Sequence, residues 1–442
     1  MAFFCIFRLI FYMDINKLHE IFLTHPVICT DTRKIEKDCI FFALKGSNFD
    51  GNTFALDAIK EGAAFSIVDN TNFSNHKNCI LVDNVLLTLQ QLANFHRKYL
   101  KIPVLAITGT NGKTTTKELI NIVLSVKYKV KATKGNLNNH IGVPLTLLSF
   151  NKNTELGIVE MGANHIGEIE NLCRIAEPDF GIITNIGKAH IEGFGSYEGI
   201  IKTKTELYRY LNNHSGKIFC NVNNSVLYEQ SLNFKDSTAY FGDNNSKIEA
   251  KIIKNNPFLI IKVIDDKEEK PLKTNLIGAY NLENILNAIA IGKYFGISIT
   301  DSIYKIAEYS PDNMRSQLIK TERNTLIVDA YNANPTSMKL AIENFSNLKF
   351  KNKIMILGDM LELGGSQDNE HKHICDLFMK LNLKNTILVG SIFNNTCHIK
   401  SVRKFVDIYH LINSGILNDF SGFYILIKGS RGIALEKAIN YL

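Results

Sequence analysis

Three features that would narrow the function of this chain are missing from its sequence. No apolar run reaches the roughly 20 residues that a membrane-spanning helix needs. The eight cysteines include no C-x-x-C pair and no metal-ligand spacing, which favours free thiols in a reducing compartment. Internal repeats and low-complexity tracts are also missing. We therefore expect a cytoplasmic protein that does not associate with membranes.

Neither positive nor negative charge is in strong excess. The 50 Lys and Arg residues exceed the 43 Asp and Glu residues by 7, and they are scattered rather than clustered. A solvated, mildly basic surface accounts for this balance better than nucleic-acid binding does, although anionic small substrates remain compatible with it. The 442 residues, 45% hydrophobic and 21% charged, indicate a globular protein of two to four domains.

The first twelve residues match no targeting segment. The apolar run from Ala2 to Tyr12 is interrupted by Arg8, is too short to span a bilayer, and lacks a basic leader and a small-residue cleavage site. Met13 opens a normal amphipathic segment. We therefore expect residues 1–12 to be an upstream extension or a start-site artefact.

Strand and helix patterns divide the rest of the chain into three blocks, and the fold class they predict is α/β. Residues 13–98 predict a small N-terminal α/β domain, residues 99–310 a central domain with a P-loop-type sheet, and residues 311–442 a Rossmann-like C-terminal domain. Strands joined by helices need crossover connections, so we expect parallel sheets. Residues 236–274 instead predict an antiparallel insert of short strands.

The segment AITGTNGKTTTK lies between a strand-like and a helix-like run. The usual phosphate loop G-x-x-x-x-G-K-[ST] fits Gly112, Lys113 and Thr114, but Ile107 stands at its first position and the first glycine is moved to Gly109. A glycine turn at a helix N-terminus binds anions through its N–H groups. A chance strand-to-helix turn explains less of the pattern. The expected nucleotide-phosphate site consists of Gly109, Thr110, Asn111, Gly112, Lys113, Thr114 and Thr115.

Two further polar residues follow predicted strands. LGIVEMGANHIGEI places Glu160 at a strand end, and FGIITNIGKAH places His190 in the glycine-rich loop after the next strand. The carboxyl ends of parallel strands form the usual ligand edge of a sheet, and phosphoryl transfer needs metal ligands there. The alternative for Glu160 is an ordinary surface carboxylate, and the alternative for His190 is a histidine with a structural role.

Together these stretches resemble the Mur ligases, the ATP-dependent amide-forming enzymes of peptidoglycan assembly. TGTNGKTTTKE has their form of the loop, and the resemblance runs from about residue 14 to the end. The stretches most similar to the dipeptide-adding branch are GNLNNHIGVPLTLL, EMGANHIGEI, TNIGKAHIEGFGS, GAYNLENILNAIA, VDAYNANPTSM, LGDMLELG and KGSRGIALEKAI. The resemblance implies a monomeric cytoplasmic ligase that joins D-Ala-D-Ala to UDP-MurNAc-tripeptide through an acyl phosphate.

The resemblance also implies catalytic and metal-binding roles. Lys113, His190 and Lys204 would be catalytic, and ATP would act with two Mg²⁺ ions. Thr114 and Glu160 would hold one ion. His190 would hold the second, together with a carbamylated lysine in several family members. Lys204 in TKTE is the candidate for that lysine, with a solvent-exposed helix lysine as the alternative and Lys202 as an alternative register.

The remaining implied contacts concern the nucleotide and the two substrates. The expected ATP contacts are Asn281, with Asn284 next, on the adenine side, and Arg315 and Asp329 near the phosphates and ribose. The expected substrate contacts are Asp31, Thr32, Arg33, Lys45 and Gly46 in a uridine-nucleotide module, Asn138, and Asn332, Asn334, Lys428 and Arg431 around the dipeptide. His140, in GNLNNHIGVP, departs from the family pattern.

Three other readings remain open. The tripeptide-forming Mur ligase shares the first domain but lacks DAYNANP, and folylpolyglutamate synthase shares only the loop and the central domain. A nucleotide-binding scaffold that has lost catalysis is the alternative outside enzymes. The presence of Lys113, Thr114, Glu160 and His190 argues against that loss.

Overall fold

The computed structural model describes residues 13–73, 75–188, 191–242, 248–266 and 268–442. The proposed extension, residues 1–12, and the candidate ligand His190 lie outside the described residues. Within the described part of the chain, no helix combines the length and the apolar character needed to cross a bilayer.

The chain packs as two compact units, and each contains segments that are distant in sequence. The first consists of the described residues up to Ala106, Lys129–Met161 and Glu170–Asp179. The second consists of Ile107–Tyr128, Gly162–Ile169 and, where described, Phe180–Leu442.

The N-terminal strands form a four-stranded parallel sheet. Cys39, Phe41, Ala43 and Val68 contribute to its apolar core. The elements are α1 (Ile15–Thr24), β1 (Ile28–Cys29), β2 (Ile40–Phe42), α2 (Ala55–Lys60), β3 (Phe65–Val68), β4 (Cys79–Leu81) and α3 (Val85–Leu100). The strand order is β1-β2-β3-β4, with parallel pairs throughout, as the strand–helix alternation predicted.

A second sheet has six strands. Its elements are β5 (Val104–Thr108), α4 (Lys113–Leu124), β6 (Val130–Ala132), α5 (Gly142–Leu148), β7 (Leu156–Glu160), α6 (Glu168–Ala176), β8 (Phe180–Ile183), α7 (Ile191–Phe194), α8 (Tyr197–Lys204), α9 (Glu206–Asn213), β9 (Lys217–Asn221), α10 (Ser225–Ser231) and β10 (Thr238–Phe241). The strand order is β10-β9-β8-β5-β7-β6. Both β5 and β7 are buried along their whole length, as expected of central strands with helices on both faces.

The antiparallel insert exists, but its predicted bounds were wrong. Strands β11 (Ile248–Asn255), β12 (Phe258–Asp265) and β13 (Glu268–Ile277) form an antiparallel sheet. Residues 238–241 do not belong to it, because β10 pairs in parallel with β9. A four-residue apolar run does not encode the direction of its partner strand, so the sequence pattern placed TAYF in the wrong sheet.

The C-terminal sheet also has six strands, in the order β14-β15-β19-β16-β17-β18. Its elements, with the two preceding helices, are α11 (Asn281–Tyr294), α12 (Ile299–Glu308), β14 (Gln317–Lys320), β15 (Thr325–Asp329), α13 (Pro335–Asn347), β16 (Lys353–Gly358), α14 (Gln367–Lys380), β17 (Thr386–Val389), α15 (Ser391–Thr396), β18 (Arg403–Phe405), α16 (Ile408–Asn413) and β19 (Tyr424–Lys428). Only β14 is antiparallel to its neighbour. The predicted α/β class with parallel sheets is confirmed.

Two buried histidines join helix α1 to helix α3. His96 Nε2 lies 3.0 Å from the carbonyl oxygen of Phe150, which can only accept a hydrogen bond, so this nitrogen carries a proton. His96 Nδ1 then accepts from His19 Nε2 at 3.0 Å. Burial, and secondarily His96, lowers the pKa of His19 to about 4, and burial also lowers the pKa of His96.

We expect the free energy of unfolding to decrease as the pH falls from 6.5 towards 4. Both pKa values are lower in the folded protein, so the unfolded chain binds more protons and the stabilising contribution, complete above the unfolded pKa, is lost on acidification. Thermal unfolding across this pH range measures how steeply the free energy of unfolding depends on pH. His19→Gln should flatten this dependence, whereas replacement of the exposed His398 by Gln should not. Equal slopes in the wild type and His19→Gln would contradict this account.

Candidate active site

The loop between β5 and α4 has the turn that the sequence predicted. Gly109 has φ +141° and Gly112 has φ +77°. A Cβ atom at Gly109 would lie 2.0 Å from Thr184 Oγ1, and one at Gly112 would lie 2.5 Å from Asn284 Oδ1. Gly112 is the N-cap of α4 and supplies no side-chain cap, so the first N–H groups of the helix are not capped by a side chain at this position. This arrangement suits an anion.

The end of β8 holds the loop in place. The Asn111 N–H donates to Asn185 Oδ1 at 2.9 Å, and Asn185 Nδ2 donates to the Asn111 carbonyl at 3.0 Å. Thr184 Oγ1 donates to the same carbonyl at 2.6 Å. Thr110 exchanges hydrogen bonds with Gly187, accepting from its N–H at 3.0 Å. Sequence reasoning assigned no role to Thr184 and Asn185, although the strand followed by TN was their visible signal.

The Lys113 ammonium folds back over its own loop. Its Nζ donates to the carbonyl oxygens of Gly109 at 2.7 Å and Thr110 at 3.1 Å. Thr114 is buried, and Thr115 is half-buried beside it in the first turn of α4. The predicted phosphate-loop residues therefore form one turn that leads directly into α4, and the Lys113 ammonium lies beside it.

A chain of side-chain amides connects α4 to α11. Thr116 Oγ1 donates to Asn284 Oδ1 at 3.0 Å, and Asn284 Nδ2 donates to Asn281 Oδ1 at 2.8 Å. Asn281 Nδ2 then donates to the carbonyl of Ile277 at 2.9 Å. Both candidate adenine contacts are buried and already hydrogen-bonded, and Asn284 also lies against Gly112. The structure therefore gives Asn284 a supporting role in the phosphate turn.

The structure distinguishes Lys204 from Lys202. Lys204, at the end of α8, is only 3% exposed, and its Nζ lies 5.4 Å from the ring centroid of Phe194. Lys202 is exposed. Burial, and then the nearby Lys113 charge, lowers the pKa of Lys204 to about 7. The alternative of a solvent-exposed lysine is therefore wrong for Lys204, and an amine that is partly neutral near pH 7 has the state that carbamate formation requires.

The buried Glu160 at the end of β7 is hydrogen-bonded to the half-buried Asn138. Asn138 Nδ2 donates to Glu160 Oε1 at 2.8 Å, and the Glu160 N–H donates to Thr133 Oγ1 at 2.9 Å. A carboxylate and a threonine hydroxyl are hard oxygen donors of the kind that Mg²⁺ prefers, so Glu160 and Thr114 each fit such an ion chemically. Among the described residues, no three His, Cys, Asp or Glu side chains cluster as a complete metal site.

Asn334 connects the DAYNANP segment to the phosphate loop. Its Oδ1 caps α13 by accepting from the Ser337 N–H at 2.9 Å, within a reciprocal capping box. Its Nδ2 donates to Asn111 Oδ1 at 2.8 Å. Asn332, in contrast, is exposed, and its side chain accepts from the adjacent Ala333 N–H at 2.9 Å. Of the two predicted asparagines, only Asn334 is hydrogen-bonded to the loop.

Asp329 and Lys428 form an ion pair between neighbouring strands. They occupy matched positions on β15 and β19, and Lys428 Nζ lies 2.6 Å from Asp329 Oδ2. The Lys428 side chain is 1% exposed. Its charge is therefore already compensated, and of the two cations predicted for the acceptor, Arg431 is the exposed one. The guanidinium carbons of Arg315 and Arg431 lie 3.9 and 5.4 Å from the ring centroid of Tyr331.

The predicted uridine-nucleotide residues carry charge at the surface of the first unit. Arg33 donates from Nε and Nη2 to the two oxygens of Asp31, each at 2.8 Å, which lowers the pKa of that carboxyl to about 2. Thr32 begins the short 3₁₀ turn that Asp31 caps. Lys45 Nζ pairs with Asp69 at 2.8 Å. A Cβ at Gly46 would lie 2.3 Å from the Phe49 ring, so this position accepts only glycine without rearrangement.

Comparison with known proteins identifies one family along this chain. The family described as "Mur ligase middle domain" matches residues 107–292, and "Mur ligase, glutamate ligase domain" matches residues 314–430. UDP-N-acetylmuramoyl-tripeptide--D-alanyl-D-alanine ligase of Bacillus subtilis is 36% identical over 440 residues, covering 97% of this chain and 95% of that protein. The enzyme of the same name from Escherichia coli is 30% identical, covering 95% and 94%.

Solved structures show the same similarity. MurF from Acinetobacter baumannii superposes with a TM-score of 0.82 at 29% identity, covering 93% of this chain and 92% of that one. MurF ligase from Thermotoga maritima in complex with ADP has a TM-score of 0.83 at 24% identity, covering 95% and 97%. At that identity the second comparison establishes the fold alone.

Gly112→Ala should weaken ATP binding by about tenfold or more, because its Cβ would press on Asn284 and move the N–H groups of the phosphate turn. The matched control is Gly415→Ala. Gly415 has nearly the same φ, +74°, but its Cβ would meet nothing within 4 Å. Both variants place an alanine in the left-handed backbone region, so both lose stability for that reason. A difference in ATP affinity between them, measured by calorimetric titration, therefore reports the contact with Asn284. Equal affinity in the two variants would contradict the role assigned to this turn.

Proposed function

The chain belongs to the Mur ligase family, and we propose that it joins D-Ala-D-Ala to UDP-MurNAc-tripeptide, giving UDP-MurNAc-pentapeptide, ADP and phosphate. The observation that carries this proposal is the full-length similarity to ligases of that name, at 36% identity over 97% of the chain. The described phosphate turn supports ATP as the energy source. The chain is an ATP-dependent peptide ligase, as the sequence predicted.

The chemistry explains why a phosphate site is needed. A free carboxylate is a poor acyl donor, because oxide would have to leave. Transfer of the γ-phosphoryl group of ATP to the carboxylate of the peptidyl substrate forms an acyl phosphate and releases ADP. The amine of the dipeptide then attacks the carbonyl carbon, the new C–N bond forms, the C–O bond to phosphate breaks, and the amine loses a proton.

The phosphate turn and Lys113 bind the transferred group. Both chemical steps bring anions together, so fixed positive charge lowers their barriers. The N–H groups at the start of α4 and the Lys113 ammonium supply that charge at one end of the second unit. The ammonium exchanges its contacts with Gly109 and Thr110 for phosphate oxygens when ATP is bound. Arg315 adds a second cation near the phosphates.

We assign metal-binding roles to four residues, each from its own chemistry and its match to the family. Thr114 and Glu160 are oxygen donors for Mg²⁺, and Lys204 as its carbamate, with His190, is the donor set for a second ion. Bound Mg²⁺ neutralises phosphate charge during the transfer. Asn138 orients the Glu160 carboxylate through its 2.8 Å hydrogen bond.

The two substrates use different parts of the chain. Asp31, Thr32, Arg33, Lys45 and Gly46 bind the uridine nucleotide. Unlike the buried Lys428, Arg33 and Lys45 are exposed beside their carboxylate partners and can turn to the nucleotide's diphosphate. Arg431 binds the carboxylate of D-Ala-D-Ala, while Asn334 holds the acceptor segment against the phosphate loop. We further propose that the enzyme acts as a cytoplasmic monomer.

The acceptor test separates this function from that of the tripeptide-forming relative. Phosphate release with UDP-MurNAc-tripeptide should depend on D-Ala-D-Ala and exceed release with D-Ala, L-Lys or meso-diaminopimelate by about 10² or more, the effect of losing one charge-assisted hydrogen bond. A single amino acid places its carboxylate next to its amine and cannot reach the same cation. Equal use of a single amino acid, with UDP-MurNAc-dipeptide as donor, would overturn the assignment.

Lys204→Ala should abolish ligation, and a short carboxylate such as acetate should partly restore it, because the carbamate would act as an anionic ligand. The matched control is Lys202→Ala, two residues earlier on the same helix but exposed, which should retain wild-type turnover and show no response to acetate. Full activity of Lys204→Ala, or loss of activity in Lys202→Ala alone, would contradict the assignment of this lysine.

A further inference from the structure

Two arginines share the ring of Tyr331. Arg315 Cζ lies 3.9 Å and Arg431 Cζ 5.4 Å from its centroid. The three residues come from separate parts of the C-terminal domain: Arg315 precedes β14, Tyr331 follows β15, and Arg431 begins the 3₁₀ helix after β19. Strands β15 and β19 are parallel neighbours in register, so Tyr331 and Arg431 leave the sheet at the same edge. Neighbouring strand ends thus bring two cations to one aromatic ring.

The two arginines differ from the nearby Lys428 in their ion pairing. Among the described residues, neither Arg315 nor Arg431 takes part in an ion pair, whereas Lys428, three residues before Arg431, is matched by Asp329. The Nε atom of Arg315 is buried and has no hydrogen-bond partner there. The π face of a tyrosine attracts a cation, but it offsets only part of the repulsion between two of them. The arrangement is therefore suited to anions.

The backbone that carries Arg315 is strained. Met314 has φ +57° and Ser316 has φ +52°, so two non-glycine residues in the left-handed region flank the arginine. Ser316 Oγ lies 2.6 Å from the hydroxyl of Tyr280, which fixes one side of this turn. Backbone strain of this kind persists where the surrounding structure holds a residue for a purpose, and it clusters at ligand sites.

We propose that Tyr331 is a positioning residue that sets the spacing between the two guanidinium groups. Arg315 then faces the phosphate that leaves the acyl phosphate, and Arg431 faces the carboxylate at the far end of the incoming dipeptide. The spacing selects an acceptor whose amine and carboxylate are separated by a peptide bond. This inference rests on the proposed function and extends it by naming a determinant of acceptor length.

The test compares Tyr331→Leu with Tyr331→Phe, using D-Ala-D-Ala and its C-terminal amide, D-alanyl-D-alaninamide, as acceptors. Tyr331→Leu removes the ring and should raise the KM for ATP and for D-Ala-D-Ala by about tenfold each, leaving the KM for UDP-MurNAc-tripeptide unchanged. Its preference for the carboxylate over the amide should shrink by a similar factor. Tyr331→Phe keeps the ring and should retain the wild-type preference for the carboxylate acceptor.

Two further variants keep the test decisive. Tyr409→Leu removes another ring that carries a cation, Lys437 at 4.6 Å, and should leave all three KM values unchanged. If Tyr331→Leu does not fold, Arg431→Lys provides the answer, because it retains the charge of this exposed residue but removes the planar guanidinium that lies near the ring, and it should show the same loss of preference for the carboxylate.

Unchanged carboxylate preference in folded Tyr331→Leu, or in Arg431→Lys, would overturn the inference. So would an equal rise in the KM of all three substrates, because a general packing defect predicts that pattern. If the wild-type protein releases no phosphate in response to D-Ala-D-Ala, the proposed function itself is refuted. That measurement requires no Tyr331 variant, so the two outcomes are distinguishable.

Discussion

The active site depends on one constraint, namely that the backbone between β5 and α4 must turn sharply at two glycines, the second of which is the N-cap of α4. Gly109 and Gly112 meet this requirement because a Cβ at either position would collide with Thr184 or Asn284. Those two neighbours are hydrogen-bonded in turn, Thr184 to the Asn111 carbonyl and Asn284 to Thr116 and Asn281. Contacts within the protein itself thus hold the turn, and a site held in this way needs less reorganisation during phosphoryl transfer.

The features that were predictable from sequence are those encoded locally. Apolar runs such as VLAIT and LGIVE identified buried strands, and glycines at a strand-to-helix junction identified the phosphate turn. Direction of pairing is not local, which is why TAYF was placed in the antiparallel insert although it pairs with Lys217–Asn221. The partners of charged side chains are not local either. Lys428 and Arg431 stand three residues apart, yet one is neutralised in the interior and the other is exposed.

Burial also changes what a lysine can do at this site. Lys113, Lys204 and Lys428 are chemically identical in the sequence, but their surroundings separate them. Lys113 is half-buried and folds back over its own turn, Lys204 is buried near the Lys113 charge, which together lower its pKa to about 7, and Lys428 pairs with Asp329 at 2.6 Å. One residue type therefore provides a cation beside the phosphate turn, a partly neutral amine and a structural ion pair within the second unit.

The hydrogen bond from Asn334 to Asn111 joins two uncharged amides. Such a contact is not screened by dissolved salt and involves no proton that titrates in the physiological range, unlike an ion pair at the same place. The attachment of the DAYNANP segment to the phosphate loop is therefore insensitive to ionic strength and to modest changes in acidity. Dissolved salt would then affect the enzyme through the binding of its charged substrates and not through this attachment.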